Sequence, residues 1–178
     1  MKKINVEIKG ICPLLQHRFP EEEHGVNASK KKKQRYDPKE EAEKALYTDE
    51  KGKIYQPSDH ILGALIKAGT DFKYKGRKTY KEIIKAGVVI EPDAIPLEHK
   101  EWVIDSRNVV VQRSRIVRYR PKFNEWSLSF DIIIIDDDNI PISTINEILE
   151  RAGTKVGIGD YRPRFGRFII TKFNVSDK

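Results

Sequence analysis

Residues 127–153 read SLSFDIIIIDDDNIPISTINEILERAG, and this stretch contains the two patterns that decide the fold. From Leu128 to Ile134 every second residue is apolar, which is the period of a half-buried β-strand. Over residues 142–152 the apolar residues recur at helical spacing, which predicts an amphipathic helix. They are Ile142, Ile145, Ile148, Leu149 and Ala152.

The two ends of this helix carry local signals. Thr144 is followed three residues later by Glu147, and this spacing predicts a capping box at the start of the helix. Gly153 follows the last apolar residue, so it is predicted to end the helix in the left-handed conformation.

The same two periods recur elsewhere in the chain. Ile4, Val6 and Ile8 alternate with polar residues and predict the first strand. A helix is predicted from Pro57 onward, and short apolar runs predict strands near residues 88–90 and 168–175. The residues on one face of the first helix are Ile61, Leu65, Ala68 and Phe72.

The elements follow the order strand, helix, strand, strand, helix, strand, which predicts the α+β class. This βαββαβ order is that of ferredoxin-like and RRM-like domains, in which two helices cover one face of an antiparallel sheet. Residues 108–119 are rich in Val and Ile and predict a long strand, with a turn at 121–125. We therefore predict one domain over residues 1–178 with a β-hairpin extension.

The stretch 20–53 has few large aliphatic residues and many charges, and it is predicted to be a mobile or only partly ordered insertion after the first strand. Within it, Asp37 and Pro38 favour a short helix over residues 37–46, with Asp37 as its cap. The run Lys30–Lys33, followed by Arg35, is either an electrostatic arm for phosphates or a solvated loop.

The composition of the chain indicates which partners and which cellular location to expect. The 178 residues include 34 Lys and Arg against 27 Asp and Glu, a net charge of +7 that favours polyanions as partners. The single cysteine, Cys12, cannot form an internal disulfide, so we expect a reducing, cytoplasmic location. The longest aliphatic run, Ile132–Ile135, is too short to span a membrane, so no membrane association is predicted.

The stretch 107–122 is the most basic part of the chain and contains no acidic residue. Guanidinium groups make forked contacts to phosphate oxygens, so this stretch is predicted to bind a nucleic-acid backbone. Arg113 and Arg115 have one strand parity and Arg118 and Arg120 the other, and a bulge or bend near Ile116 could bring all four to one side. The alternative is a solvated sheet face or a charged sheet edge. The predicted contact residues are Arg107, Arg113, Arg115, Arg118, Tyr119 and Arg120.

A second basic segment, residues 156–168, interleaves glycines, arginines and aromatic residues. Glycines allow a close approach of backbone amides to phosphate, and aromatic rings stack on bases. The segment lacks a P-loop ending and a preceding strand, so no nucleotide cofactor is predicted. The alternative is a plain helix exit and tight turn. The predicted contact residues are Gly157, Gly159, Tyr161, Arg162, Arg164 and Arg167, and we expect the fold to bring them near the stretch 107–122.

The βαββαβ order together with the glycine-rich loop at 157–166 resembles the RAMP superfamily of CRISPR-associated RNA-binding proteins. The segment 55–65, YQPSDHILGAL, is also similar to the RAMP segment that opens the first helix. The resemblance implies that the loop at 157–166 contacts an RNA backbone. In the backbone-subunit branch it further implies a filament on a guide RNA and a thumb-like hairpin at 107–126.

We predict a nucleic-acid-binding protein rather than an enzyme. It is expected to bind single-stranded RNA or DNA and to assemble as a homo-oligomer or in a multi-subunit complex. The alternatives are an endoribonuclease and a basic assembly protein of a phage or mobile element. The resemblance to RAMP endoribonucleases makes His17 and His24 candidate acid/base residues, and the resemblance to backbone-type RAMPs that cleave target RNA makes Asp37 and Asp49 candidates for cleavage.

Metal chemistry has one candidate in the sequence. The run Asp136–Asp138 either binds Mg²⁺ or favours the positive end of the helix that follows. Cys12 has no second cysteine beside it, so structural zinc and thiol catalysis are not predicted. We therefore predict no catalytic residues, no metal and no cofactor.

Overall fold

The computed structural model of the chain describes residues 1–19, 37–111 and 113–176. Four of its strands are β1 (Lys2–Gly10), β4 (Val88–Glu91), β8 (Ser127–Ile134) and β9 (Phe168–Ser176). They form one antiparallel sheet in the order β4, β8, β1, β9. The four are the strands that the sequence predicts, and the α+β class is confirmed.

Two helices supply the other half of the hydrophobic core. These are α2 (Ser58–Ala68) and α4 (Ile142–Arg151). Every second residue of β1 and β8 is buried, as the alternation predicts, and these side chains form one cluster with those of the helices. The predicted helical faces are confirmed at the buried residues Ile61, Leu65, Ala68, Ile145, Ile148 and Leu149.

The start of α4 differs from the prediction. The helix begins at Ile142, directly after Pro141, and no side chain caps its first turn. Thr144 and Glu147 lie inside the helix, so the predicted capping box is wrong. The reason is that Pro141 already supplies the extended residue that precedes a helix.

The end of α4 also lies further along the chain than predicted. After Arg151 the chain continues as a π-helical turn over Ala152–Val156, and the left-handed residue is Gly157, with φ of 74°. Gly153 is buried, and a Cβ on it would overlap the carbonyl oxygen of Phe168 in β9. Gly153 is therefore required for close packing on the last strand and does not end the helix.

The described part of the insertion is ordered and packs on the core. Helix α1 (Pro38–Lys44) begins where predicted, with Asp37 accepting a hydrogen bond from the Lys39 amide at 2.9 Å. Ala42, Ala45 and Leu46 are buried. The run Lys30–Lys33 and His24 lie outside the described residues.

A β-hairpin extends from the sheet, formed by β6 (Val103–Val111) and β7 (Ser114–Phe123). Its pairing keeps one register from Val103 opposite Lys122 to Val111 opposite Ser114. The predicted hairpin is confirmed, but the single strand over 108–119 and the bulge near Ile116 are wrong. The chain reverses between Val111 and Ser114, which lie opposite each other, and Arg113 has a positive φ of 69°.

The remaining elements are short. They are β2 (Leu14–Leu15), which pairs with β7, the antiparallel pair β3 (Tyr55–Pro57) and β5 (Ala94–Pro96), and helix α3 (Tyr80–Gly87). The sequence does not predict α3, which is only eight residues long. Among the residues described, no helix has the length and apolar character needed to cross a membrane.

Candidate nucleic-acid interface

The hairpin has two faces of different character, and one of them carries most of its arginines. In an antiparallel pair, residues directly opposite each other share a face. Arg107 lies opposite Arg118, and Asp105 lies opposite Arg120, so these four residues form what we call the inner face. All three arginines of the inner face contact a carboxylate.

The other side, which we call the outer face, carries Ser106, Val110, Arg115 and Tyr119. Arg115 is exposed, and Tyr119 is half-buried. Because the register is continuous, Arg115 cannot share a side with Arg118 and Arg120. The predicted grouping of these arginines with Arg115 on one side is therefore wrong, and Arg113 lies apart at the turn.

Arg107 joins the hairpin to the glycine-rich loop. Its Nε and Nη2 donate hydrogen bonds to the two carboxylate oxygens of Asp105, at 2.7 and 3.0 Å. Its guanidinium carbon lies 4.7 Å from the ring centre of Phe165 and 5.3 Å from that of Tyr161. Such cation–π contacts are attractive, and they confirm that the two basic segments lie next to each other.

Arg120 makes a second connection between the hairpin and the loop. The Arg120 side chain is 8% exposed, and its Nε lies 2.8 Å from Oδ2 of Asp160 and 3.2 Å from Nδ1 of His17. The Nε–H bond is directed at His17, so the contact with Asp160 is an ion pair without an aligned hydrogen bond. Arg120 is thus inside the structure, and the predicted contact of this residue with phosphate is replaced by contacts within the protein.

Asp160 is held in its charged form. The His17 imidazole, with Nδ1 at 3.4 Å, and the charge of Arg120 lower the pKa of the Asp160 carboxyl, while partial burial acts in the opposite direction. The Asp160 carboxylate therefore stays ionised to a lower pH than an isolated one, and so does its ion pair with Arg120.

Arg118 contacts a carboxylate from the insertion. Its Nη1 lies 3.3 Å from Oε1 of Glu41 in α1, and the two side chains are 32% and 20% exposed. The second oxygen of Glu41, Oε2, is buried and has no hydrogen-bond partner. The sequence gives no signal for this pair, because Glu41 lies far from Arg118 along the chain.

The glycines of the loop determine its shape. Gly157, Gly159 and Gly166 all have φ between 73 and 75°. A Cβ on Gly159 would lie 2.5 Å from the carbonyl oxygen of Leu15, and one on Gly166 would overlap the carbonyl oxygen of Ile158. Only glycine allows the loop to lie this close to itself and to β2.

Several backbone amides of the loop donate hydrogen bonds to carbonyl groups of the protein itself. Gly157 donates to the carbonyl of Ala152 at 2.8 Å, and Asp160 donates to that of Leu15 at 2.8 Å. Gly166 donates to the carbonyl of Pro13, also at 2.8 Å. The Gly157 amide already has an internal acceptor and Gly157 is buried, so this amide is not available to a phosphate, and contact of Gly157 with nucleic acid stays a prediction.

Exposed groups on the same loop remain as candidates for contact. Tyr161 is 45% exposed, and the arginine side chains of the loop are exposed beside it. Within the described residues none of these arginines forms an ion pair. The exposed arginines are Arg162, Arg164 and Arg167. Their contact with nucleic acid stays a prediction, as does that of Gly159, Arg113, Arg115 and Tyr119.

A buried polar network lies next to this surface. Gln16 donates from Nε2 to the carbonyl of Tyr55 at 2.8 Å and to Oε1 of Gln56 at 3.1 Å. Nε2 of Gln56 in turn is hydrogen-bonded to Nδ1 of His60. Burial lowers the pKa of His60, and the charge of Arg162 acts in the same direction. The sequence does not predict this network, which connects the residue after β2 to β3 and to the start of α2.

The candidate metal residues have other partners. Asp136 accepts hydrogen bonds from Nδ2 of Asn139, and Asp137 pairs with the amino group of Met1 at 2.9 Å. In the chain segments that the structure describes, no three histidine, cysteine or acidic side chains are arranged to hold a metal ion. Asp37 and Asp49 accept hydrogen bonds from nearby backbone amides.

The open face of the four-stranded sheet has a different chemistry. RRM domains stack bases on aromatic side chains of this face. In this protein the exposed side of β1 and β8 carries ion-paired and polar residues, including Lys3 with Asp131 at 2.9 Å. Lys172 of β9 pairs with Glu7 at 3.0 Å on the same side. The described strands have no aromatic side chain there, so this face offers no stacking platform.

Comparison with known proteins gives one finding at the level of the fold. No protein-family model matches the chain, and no curated protein matches its sequence. The chain is similar to one in the cryo-EM structure of the Type III-B Cmr-beta bound to cognate target RNA, with a TM-score of 0.59 and 11% identity. The two chains share a fold. The match covers 98% of this chain and 60% of that chain, so this chain spans less than two thirds of its neighbour.

Proposed function

We propose that the protein is an RNA-binding subunit with a ferredoxin-like, RAMP-type core. It binds the backbone of single-stranded RNA on the surface formed by the glycine-rich loop and the hairpin. The observation that carries this proposal is the packing of Arg107 over Phe165 and Tyr161, because it joins the two basic segments into one surface.

The sheet supports the first part of the proposal. A ferredoxin-like sheet places the last strand beside the first and the second strand at the opposite edge, and the order β4, β8, β1, β9 fits this arrangement. The fold neighbour is a chain of an assembly bound to target RNA, which favours RNA over DNA as the ligand.

The side-chain chemistry supports the second part. Arg162, Arg164 and Arg167 present guanidinium groups that suit phosphate oxygens, and Tyr161 presents a partly exposed ring beside them. These contacts are independent of base identity, so we expect affinity without strong sequence preference. The open sheet face has no aromatic side chain, and we therefore expect the RNA to follow the loop and not the sheet.

A titration of labelled single-stranded RNA at several salt concentrations tests this function. The test variant is Arg162→Ala/Arg164→Ala/Arg167→Ala. It is expected to reduce the slope of log K against log salt concentration by about 0.7 for each lost phosphate contact. The matched control, Lys75→Ala/Arg77→Ala/Lys78→Ala, removes the same charge from exposed residues of the loop before α3. Wild-type protein that does not bind at low salt, or equal losses in both variants, would contradict the proposal. A single-stranded DNA of the same sequence measures the preference for RNA.

Assembly is the third part of the proposal. We expect several copies, or this chain with other subunits, to bind along one RNA. Light scattering with RNA of increasing length tests self-assembly, because the mass of the complex should grow with RNA length. A particle whose mass stays small and constant would contradict self-assembly along the RNA. Assembly with other subunits would then be the remaining part of the proposal.

A second candidate function is metal-independent RNA cleavage, and the position of His17 favours it. Its imidazole lies at the edge of the surface, with Nδ1 3.4 Å from Asp160 and near Arg120. A partly exposed histidine held in place by neighbouring charged groups can transfer a proton to or from a bound phosphodiester. Cleavage products that persist with a chelator and disappear in His17→Ala would support an endoribonuclease, whereas intact RNA would contradict it.

A further inference from the structure

Two of the three carboxylate contacts on the inner face are short and hard for a phosphate to reach. Arg107 makes two hydrogen bonds to Asp105 within the same strand, at 2.7 and 3.0 Å. Arg120 lies 2.8 Å from Asp160, and its side chain is 8% exposed. A phosphate would have to separate a bidentate pair or enter the interior to reach either arginine.

The third contact, between Arg118 and Glu41, is different. It is the longest of the three, at 3.3 Å, and joins one nitrogen of Arg118 to one oxygen of Glu41. The other oxygen of Glu41 is buried without a hydrogen-bond partner. Since buried polar atoms are nearly always paired, the desolvation of this carboxylate is incompletely offset. The pair is also partly open to solvent, so an anion can approach it.

We propose that Glu41 occupies the position of an RNA phosphate in the free protein and is displaced by a backbone phosphate when single-stranded RNA binds. This inference rests on the proposed RNA-binding function. A phosphate offers Arg118 a forked contact in place of the single one made by Glu41. Glu41 lies on α1, a helix of seven residues that is a separate element from the hairpin, so its carboxylate can turn away without breaking β7.

The opposing interpretation is that Glu41 docks α1 on the hairpin as a permanent bridge. The two interpretations predict opposite effects of removing its charge. If the bridge is permanent, removing the charge of Glu41 lowers the stability of the fold and does not increase the affinity for RNA. A displaced carboxylate competes with phosphate, so its removal increases the affinity for RNA.

The experiment compares Glu41→Gln with Glu43→Gln in the full chain. Glu43 lies on the same helix, is 52% exposed and is 3.8 Å from Lys39, so its substitution removes the same charge without affecting Arg118. Binding of a labelled single-stranded RNA is measured over a range of salt. Relative to Glu43→Gln, we expect Glu41→Gln to bind about fivefold more tightly near 0.1 M salt, because no carboxylate competes for Arg118, with an unchanged salt slope, because Arg118 contacts a phosphate in both complexes.

Arg118→Gln completes the test, because the gain from Glu41→Gln should disappear when Arg118 is absent. Equal affinities of Glu41→Gln and Glu43→Gln, with a lower melting temperature only for Glu41→Gln, would overturn the inference and leave the RNA-binding function intact. A gain that survives Arg118→Gln would also overturn it. Absence of RNA binding in every variant would overturn both the function and the inference. Binding that is seen only in Glu41→Gln would also overturn the inference, because the RNA would then be unable to displace the Glu41 carboxylate.

Discussion

The guanidinium of Arg120 lies 2.8 Å from the carboxylate of Asp160, and this contact links β7 to the glycine-rich loop. Arg107 reinforces the link through Phe165 and Tyr161. The arginines that hold the two segments together are therefore largely neutralised by carboxylates. The remaining positive charge of this region lies on exposed residues of the loop and the hairpin turn.

Replacing Arg120 with Met should destabilise the fold, because it leaves Asp160 without its cation. Removing one partner of a buried ion pair typically costs about 3–5 kcal/mol. Asp160 is one-third exposed, so we expect a loss of about 2 kcal/mol in the free energy of unfolding. Urea denaturation followed by tryptophan fluorescence measures it. The control is Arg115→Met on the exposed outer face, where a change of no more than about 0.5 kcal/mol is expected. Similar losses in the free energy of unfolding would contradict this prediction, because the Arg120 contact would then contribute no more than an exposed arginine does.

Acid should destabilise the wild type more than Asp160→Asn. The folded state lowers the pKa of Asp160, so this carboxylate contributes stability that is fully present above its unfolded value of about 3.9. That stability is lost as the pH falls through the lower, folded pKa. Unfolding free energies of both proteins, measured from pH 6 downward, should therefore converge below about pH 4. Curves that stay parallel would contradict the pairing of Asp160 with His17 and Arg120.

A glycine series separates backbone conformation from steric overlap. Gly166→Ala should cost more than about 2 kcal/mol, because the position has φ of 73° and a Cβ there overlaps Ile158. Gly76→Ala should cost about 1 kcal/mol, since its φ is 60° but its Cβ position is open. Gly63→Ala, in α2 with open space, should stabilise by about 1 kcal/mol. Thermal melts rank the three, and any other order would contradict the geometry of the loop.

The titration of His60 reports on the position of the loop. Burial, followed by the charge of Arg162, lowers the pKa of His60 below its ordinary value of 6.5. An NMR titration should therefore show a midpoint below 6.5, and Arg162→Gln should raise it. Arg164→Gln, in the same loop, is the control and should leave the midpoint unchanged. Because the folded pKa is lowered, the stability contributed by neutral His60 is present above about pH 6.5 and is lost as the pH falls toward the folded value.

The strands and helices follow from the sequence because their buried faces are encoded locally. The alternation of Ile4, Val6 and Ile8 and the helical spacing of Ile61 and Leu65 each suffice to place an element. The end of α4 does not follow in this way. It depends on how closely Gly153 approaches Phe168, a residue of another element, and local signals contain no such information.

The candidate site is less predictable for the same reason. The arginines at 118 and 120 are evident in the sequence, but their partners Glu41 and Asp160 come from distant segments. The position of the hairpin turn is also not predictable from the sequence, because Arg113 takes a positive φ where glycine or asparagine is usual. The position of that turn sets which residue of β6 lies opposite each residue of β7. It therefore decides which arginine side chains share a face.

The central place of β1 in the sheet affects how the chain folds during its synthesis. Lys9 pairs with Ser127 on one side and with Ile169 on the other, so the partners of β1 emerge from the ribosome long after it does. Until then, Ile4, Val6 and Ile8 have no strand beside them, and an unpaired apolar strand is prone to aggregate. Pairings between residues so far apart also slow folding. Nascent chains that end before β9 should therefore bind chaperones that recognise extended apolar segments.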